Sequence, residues 1–265
     1  MEAQYSLRNQ GWTCKKNPHC CEKMDSLQVK ALLERGGYFV RNTFNWDKPE
    51  ETHFWYIIKD KWGDIDELPS KTRNQVRKSL KCYDVRIVTP ETMVKDGFNL
   101  YNESRKRFYD PKLLVTKEQW EKRCLSGGQE FWLAYSKESG KPEAMGINRI
   151  YEEYCSYVTM GVNPKAPTSS YPMYGLLFKM NKYYLWECGL KYVLDGARSV
   201  TEHSNIQPFL EEKFKFRKAY CDMQVFYKPV IRVAVKVLFP FRKWIKNKKI
   251  EAILRQEAWA RGLEV

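Results

Sequence analysis

Hydrophobic and polar positions in the first sixty residues follow two different periods. The segment 26–37 carries apolar residues at helical spacing and ends on two glycines, which predicts a helix with a C-terminal stop. The segments 38–44 and 53–60 are rich in aromatic and β-branched residues, which is typical of strands. The chain is therefore expected to open with a helix and two strands.

Helical periodicity dominates the next part of the sequence. The segment 68–89 begins as a helix entered through a Pro-Ser pair and closes on a strand over 85–88. A long helix is predicted over 89–108 and another over 117–125.

The pattern changes near residue 130. The segments 130–135, 143–152 and 154–162 predict three consecutive strands, and a long, mostly apolar helix is predicted over 171–189. A strand, a short helix and a final strand are predicted over 191–197, 204–214 and 216–227. This order predicts an α/β fold built on a mixed sheet.

The net charge of the chain indicates which classes of binding partner it favours. The sequence has 46 Lys and Arg against 32 Asp and Glu, a net charge of +14, which favours phosphates, nucleic acid or anionic lipid. The segment 228–249 has eight basic residues and no acidic residue, interleaved with apolar ones. Packing of its apolar face on the domain is the favoured interpretation, and peripheral contact with an anionic membrane is the alternative.

A second basic segment lies in the predicted helix after residue 68. Arg73, Arg77 and Lys81 recur every four residues and so share one helix face. They are candidates for contact with the phosphates of tRNA or of a nucleotide- or lipid-linked sugar, and a plain solvated helix face is an equally good interpretation.

The N-terminal sequence and the cysteines suggest a location. The first residues have no apolar core of a signal peptide, and no apolar run is long enough to span a bilayer. We therefore expect a cytoplasmic protein, with association at the inner membrane surface as an alternative. Cys14, His19, Cys20 and Cys21 are zinc-type ligands, but their spacing favours ordinary thiols, and no metal is expected.

Two stretches resemble a known family. The segment LPSKTRNQVRKSLKCYDVRIV (68–88) is similar to the basic entry helix and first strand of Fem-type proteins. Together with LDGARSVTEHSNIQPFLEEKFKFRKAY (194–220), it makes the chain resemble the Fem-type branch of the GNAT acyltransferase superfamily, which includes peptidoglycan-bridge aminoacyltransferases. The likeness covers 54–227, which leaves 1–53 as an N-terminal extension and 228–265 as a basic helical tail.

The resemblance implies a donor site. In that fold the fourth strand splays from the fifth, its backbone holds the acyl donor, and the next helix N-terminus receives a pyrophosphate. The residues expected to contact the donor are Met160, Gly161, Val162, Thr168, Ser169, Ser170, Gly175 and Asn205. The loop that carries Thr168, Ser169 and Ser170 is equally well explained as an ordinary polar turn. The usual pyrophosphate motif is not preserved, and Glu211 stands where a thiolate-protonating Tyr is customary, which shifts weight towards the Fem-type branch.

Candidate catalytic groups follow the predicted fifth strand. Glu202 and His203 lie where the resemblance expects the cleft, and either could deprotonate an amine, although each is also consistent with a solvated loop. The backbone N–H of Val162 is a candidate for stabilising the oxyanion.

Three functions remain open from the sequence. The favoured one is an enzyme that moves an acyl group from acyl-CoA to an amine, on a small molecule or an envelope precursor such as a sugar or lipid-linked intermediate. The first alternative is transfer of an amino acid from aminoacyl-tRNA, and the second is a non-enzymatic RNA- or membrane-binding module.

Overall fold

The computed structural model describes residues 5–106, 114–200 and 206–264. The chain forms two compact units. Among the described residues, the first unit holds 5–56, 197–200 and 218–264, and the second holds 57–106, 114–196 and 206–217. The N-terminal segment and the C-terminal helices, which the sequence suggests are flanking pieces, therefore belong to one unit.

The first unit is built on strands β1, β2, β3 and β10, which are neighbours in that order. Its elements are β1 Tyr5–Arg8, β2 Gly11–Cys14, α1 Ser26–Glu34, β3 Phe39–Lys48, β10 Arg217–Tyr227, α7 Pro229–Leu238 and α8 Lys248–Ala260. β2 and β3 run parallel, and β1–β2 and β3–β10 are antiparallel. Asp25 and Gln28 form a capping box at the start of α1, which fixes where that helix begins.

Two of the apolar clusters in this unit hold its helices against the strands. One contains Trp12, Leu32 and Val40, which joins α1 to the strands. The other is formed where α7 and α8 pack on the end of β10, with Tyr227 and Leu254 at its centre. The C-terminal helices are thus integral to the unit's core.

Neighbouring strands of the second unit follow the order β9-β8-β7-β6-β5. Its elements are α2 Ser70–Cys82, β5 Tyr83–Val88, α3 Pro90–Arg105, α4 Lys117–Leu125, β6 Glu130–Ser136, β7 Pro142–Ile150, β8 Tyr154–Val162, α5 Pro172–Lys182, β9 Tyr192–Ala197 and α6 Ile206–Phe214. Strand β4, Phe54–Lys59, begins in the first unit and ends in the second. β5 to β8 are antiparallel, and β8 and β9 are parallel.

One apolar cluster of the second unit lies between this sheet and helices α3 and α4. The rings of Trp120 and Tyr101 are tilted by 39° with their centroids 4.6 Å apart, and the Trp120 indole donates a hydrogen bond to the Met93 carbonyl. Phe131 and Ile147 fill the sheet side of the cluster. This packing fixes α3 and α4 against the strands that carry the candidate site.

A buried polar network lies at the end of α5. The helix continues into a π-helical turn over Tyr183–Glu187. This turn brings the Tyr184 hydroxyl to the Trp132 indole N–H, 2.8 Å away, and to the Asn148 amide, 3.0 Å away. The same hydroxyl donates to the Glu130 carboxylate. Because buried polar groups are costly when unpaired, the network specifies one position for the turn.

The mixed α/β prediction is confirmed, and most predicted elements are present. The bounds of α4 and β8 agree with the sequence prediction, whereas the predicted helix 171–189 is divided into α5 and the π-helical turn. The short strands β1 and β2 were not predicted. No helix in the described ranges is long and apolar enough to cross a bilayer.

Candidate functional site

A notch opens between β8 and β9. The two strands pair in parallel only from Tyr154 to Ser156 on β8. β8 then continues to Val162 and β9 to Ala197 without further pairing between them. The predicted splay of the fourth and fifth strands is therefore present, and Met160, Gly161 and Val162 lie on the diverging part of β8.

Two local features shape the diverging part of β8. The register with β7 shifts where Ile147 pairs with Thr159 and Asn148 pairs with Tyr157, which makes Val158 the extra residue of a β-bulge. Further along, a Cβ at Gly161 would lie 2.7 Å from the Ser104 hydroxyl of α3. Gly161 therefore allows α3 to approach this strand closely.

An acidic residue lies at the mouth of the notch. Asp195 follows Leu194, the last residue of β9 that pairs with β8. Burial raises the pKa of Asp195 to about 7, although a hydrogen bond with the Gln207 side chain on α6 opposes the rise. A carboxyl group with this pKa exchanges protons near neutral pH, which is what a general base requires.

A guanidinium group is held against the same stretch of β8. Arg123 of α4 donates to the Thr159 hydroxyl at 3.2 Å and to the Tyr101 hydroxyl at 2.6 Å. Its guanidinium also lies 5.1 Å from the Tyr101 ring centroid. These contacts fix a positive charge next to the diverging residues of β8.

Most backbone N–H groups in the loop between β8 and α5 are either missing or already donate hydrogen bonds within the unit. Pro164, Pro167 and Pro172 have no N–H. Six other amides of the loop and first helical turn donate within the unit, namely those of Asn163, Lys165, Ala166, Ser170, Tyr174 and Gly175. A phosphate group at this helix N-terminus would find few amides still available.

Two predicted donor-binding residues make internal contacts. The Ser170 hydroxyl bonds the Tyr83 hydroxyl and the Pro167 carbonyl, each at 2.6 Å. The Gly175 amide donates to the Ser79 hydroxyl of α2 at 3.1 Å. Thr168 and Ser169 are exposed. A donor-binding role for these four residues stays a prediction.

The basic face predicted on the first helix of this unit lies on α2. Arg77 and Lys81 are exposed, whereas Arg73 is half-buried and lies 3.6 Å from Asp66. The opposite face of α2 buries Val76 and Ser79. Arg77 and Lys81 are therefore accessible to an anionic partner, and their predicted contact with phosphates stays a prediction.

The remaining candidates lie elsewhere. Glu202, His203 and Asn205 fall outside the described residues, so their predicted roles stay predictions. In the first unit, Cys14 and Cys21 are hydrogen-bonded through their thiols, which lowers the pKa of Cys14 to about 6. No group of three or more potential metal ligands is present within 5–106, 114–200 and 206–264.

Sequence reasoning did not identify Asp195 or Arg123. Asp195 lies inside the segment 194–220 that carries the family resemblance, and its position before Gly196 at the end of a predicted strand is a signal that could have selected it. Arg123 gave no such signal, because only the packing of α4 on α3 brings it to β8.

Comparison with solved structures identifies the fold. The sequence matches no family model and no curated protein. The structure of FemX aligns with a TM-score of 0.53 at 14% identity, over 84% of this chain and 71% of FemX. The C-terminal domain assigned to a putative lysylphosphatidylglycerol synthetase from Agrobacterium fabrum aligns with a TM-score of 0.51 at 12% identity, over 88% of this chain and 84% of that one. The chain thus shares its fold with FemX and with this synthetase domain.

Proposed function

We propose that this protein transfers an acyl group from an activated carbonyl compound to an amine in the notch between β8 and β9. The observation that carries the proposal is Asp195, a carboxyl group with a pKa of about 7 at the point where the two strands diverge. An attacking amine must lose a proton, and a base that is ionised near neutral pH can accept it.

The reaction needs two further contributions from the site. The amine nitrogen forms a bond to the donor's carbonyl carbon, and its proton passes to the Asp195 carboxylate. The donor's carbon–oxygen or carbon–sulfur bond then breaks, and the Asp195 carboxyl returns that proton to the leaving oxygen or sulfur, which departs as an alcohol or thiol. The fixed charge of Arg123 supports binding of an anionic donor beside β8. The diverging backbone of β8 can hold an extended donor by hydrogen bonds, as an exposed strand edge does.

The loop before α5 favours aminoacyl-tRNA over acyl-CoA as the donor. Most amides that could hold a pyrophosphate at this helix are absent or used internally. The exposed Arg77 and Lys81 belong to α2, which packs directly on α5 through Ser79 and Gly175. A tRNA phosphate backbone can be bound by such a basic face. Acyl-CoA is the second candidate, favoured by the strand notch itself. We propose an envelope precursor with a free amino group as the acceptor, which is what the sequence resemblance to peptidoglycan-bridge aminoacyltransferases implies.

The donors can be separated by binding and transfer in one preparation. We expect the full-length protein to bind charged tRNA with an affinity that falls steeply with salt, and to be stabilised little by CoA or acetyl-CoA. Radiolabelled aminoacyl-tRNA should then pass its amino acid to an extract of nucleotide- and lipid-linked envelope precursors.

The variant Asp195→Asn tests the chemistry separately. It should keep the affinity for charged tRNA and lose at least a hundredfold in transfer rate, in the range typical of general-base removal. Wild-type transfer rates in this variant would contradict the role of Asp195. Stabilisation by acyl-CoA with no tRNA binding would establish the second donor, and tRNA binding without any transfer would establish the non-enzymatic alternative.

A further inference from the structure

A stripe of large apolar side chains is exposed along α7 and the turn after it. Val230, Val233, Val237, Phe241 and Trp244 recur at intervals of three or four residues, and each is between 50% and 78% exposed. Residues at this spacing lie on one face of a helix. We call these five residues the apolar stripe.

The apolar stripe is not the face that packs on the protein. Val235 and Phe239 are buried against Tyr227, Leu254 and Ala258 of the first unit. The apolar residues of 228–249 thus divide into a buried face and an exposed face. The packing that the sequence favoured is present, and it leaves the second apolar face uncovered within the described first unit.

The charged residues of the segment that carries the apolar stripe are all basic. The segment 228–249 contains no Asp or Glu, and its basic residues are Lys228, Arg232, Lys236, Arg242, Lys243, Lys246, Lys248 and Lys249. Arg232 and Lys236 lie one turn apart on α7, and both are exposed. Lys243 and Lys246 are exposed on either side of Trp244.

We propose that the apolar stripe docks into the interface of an anionic lipid membrane. An exposed apolar face flanked by Lys and Arg matches acyl chains below and anionic headgroups above, and Trp244 is of the type that concentrates at that boundary. RNA would use the charges but not the valines, and two copies of this surface would repel each other. Charge and apolar exposure together therefore select lipid.

The docking is peripheral. α7 is ten residues long, which is about half the length that a spanning helix needs. The helix would lie in the plane of the interface, with the apolar stripe towards the acyl chains and its buried face still packed on the first unit.

Vesicle binding by the full chain tests the proposal. We expect the protein to sediment with vesicles of phosphatidylcholine mixed with phosphatidylglycerol, to bind phosphatidylcholine alone at least tenfold more weakly, and to dissociate as salt is raised. Tryptophan emission should shift to shorter wavelength on binding. Replacing Trp244 by Ala together with Val237 by Ser should weaken binding at least tenfold and abolish the shift.

Three controls keep the test decisive. Trp186→Ala removes a similarly exposed tryptophan, 68% exposed in the second unit, and should bind vesicles as the wild type does. Lys236→Gln with Lys243→Gln alters only exposed charges and should reduce the dependence on phosphatidylglycerol. Asp195→Asn should bind vesicles normally, so docking and transfer fail independently.

Several outcomes would overturn the docking proposal. Equal losses of vesicle affinity in the Trp186 and Trp244 variants would remove the special role of the apolar stripe. Affinity that is independent of phosphatidylglycerol would remove the electrostatic argument. A dimer in sedimentation velocity that the Trp244 variant dissociates would assign the surface to a second copy. RNA binding that is lost in the Lys236→Gln, Lys243→Gln variant, without vesicle binding by the wild type, would assign it to nucleic acid.

Discussion

Replacing Asp195 by Asn is expected to make the protein more stable while it removes transfer activity. The substitution keeps the size of the side chain and an oxygen that can accept a hydrogen bond from Gln207. It removes a negative charge that burial makes unfavourable. An ionised carboxylate in a poorly solvated position lowers the stability of the folded protein, and a neutral amide at the same position removes that cost.

The magnitude follows from the pKa of Asp195. A rise from 3.8 in the unfolded chain to about 7 in the folded protein spans about three pH units. Each unit corresponds to ~1.4 kcal/mol, so keeping Asp195 ionised costs the folded protein ~4 kcal/mol. Because the carboxyl is partly exposed, we expect Asp195→Asn to raise the free energy of unfolding by about 2 to 4 kcal/mol. The folded state binds the proton more tightly, so the wild type loses stability as the pH rises from about 4 to about 7.

Urea denaturation of both proteins at pH 4 and pH 8 measures this effect. The Asn variant should match the wild type at pH 4 and exceed it in the free energy of unfolding at pH 8. Its slope against urea should be unchanged, since the same surface is exposed on unfolding. In the wild type, the transfer rate should rise through pH 7 as Asp195 ionises.

Asp60→Asn is a matched control of opposite sign in the same unit. Burial opposes ionisation of Asp60, but the hydrogen bond and charge of Arg217 outweigh it and lower the pKa of Asp60. The stabilisation by Asp60 is present above the unfolded pKa and is lost as the pH falls through the folded one. Asp60→Asn should therefore lower stability at pH 8.

Equal stability of wild type and Asp195→Asn at both pH values would refute the burial argument.

Three further outcomes test other parts of the structure. Gly175→Ala places a Cβ 2.5 Å from the Ser79 hydroxyl and should lower the free energy of unfolding by about 1 to 3 kcal/mol. The loss should be smaller in a Ser79→Ala background, which a double-mutant cycle in urea would measure. A hydrogen bond with Cys21 lowers the pKa of Cys14 to about 6, whereas burial raises the pKa of Cys188. Cys14 should therefore be alkylated at pH 7 faster than Cys188, although Cys188 is the more exposed. Peptide mass spectrometry after brief labelling measures the two rates, and faster labelling of Cys188 would contradict the prediction. Arg77→Ala should reduce the salt dependence of tRNA binding by about one unit of slope, and an unchanged slope would exclude a phosphate contact there.

Local sequence signals predicted most of the fold. The bounds of α4 agree with the prediction, because Thr116 and Gln119 form a capping box and Gly127 and Gly128 follow the helix with positive φ. β8 agrees because its composition is typical of a strand. The strands β1 and β2 are only four residues long, and such segments carry too little periodicity to stand out.

The site was less predictable than the fold. The resemblance directed attention to Met160, Gly161 and Val162, which do lie on the part of β8 that diverges from β9, because backbone topology is shared by distant relatives. Their contact with a donor stays a prediction. The importance of Asp195 depends on burial, and the position of Arg123 depends on how α4 packs, and neither follows from local sequence. The loop before α5 shows the same limit, since its amides are used in contacts that include Ser79, far away in the sequence.

The π-helical turn after α5 has a consequence for how the chain tolerates insertions and deletions. A π-helical turn contains one residue more than an α-helical path through the same space. Deleting one residue within Tyr183–Glu187 would restore regular α-helical geometry and change the direction in which the side chains of the turn project. The Tyr184 hydroxyl would then leave Trp132 and Asn148, both of them buried. Related chains of different length should therefore vary in the loops and keep the residue count of this turn.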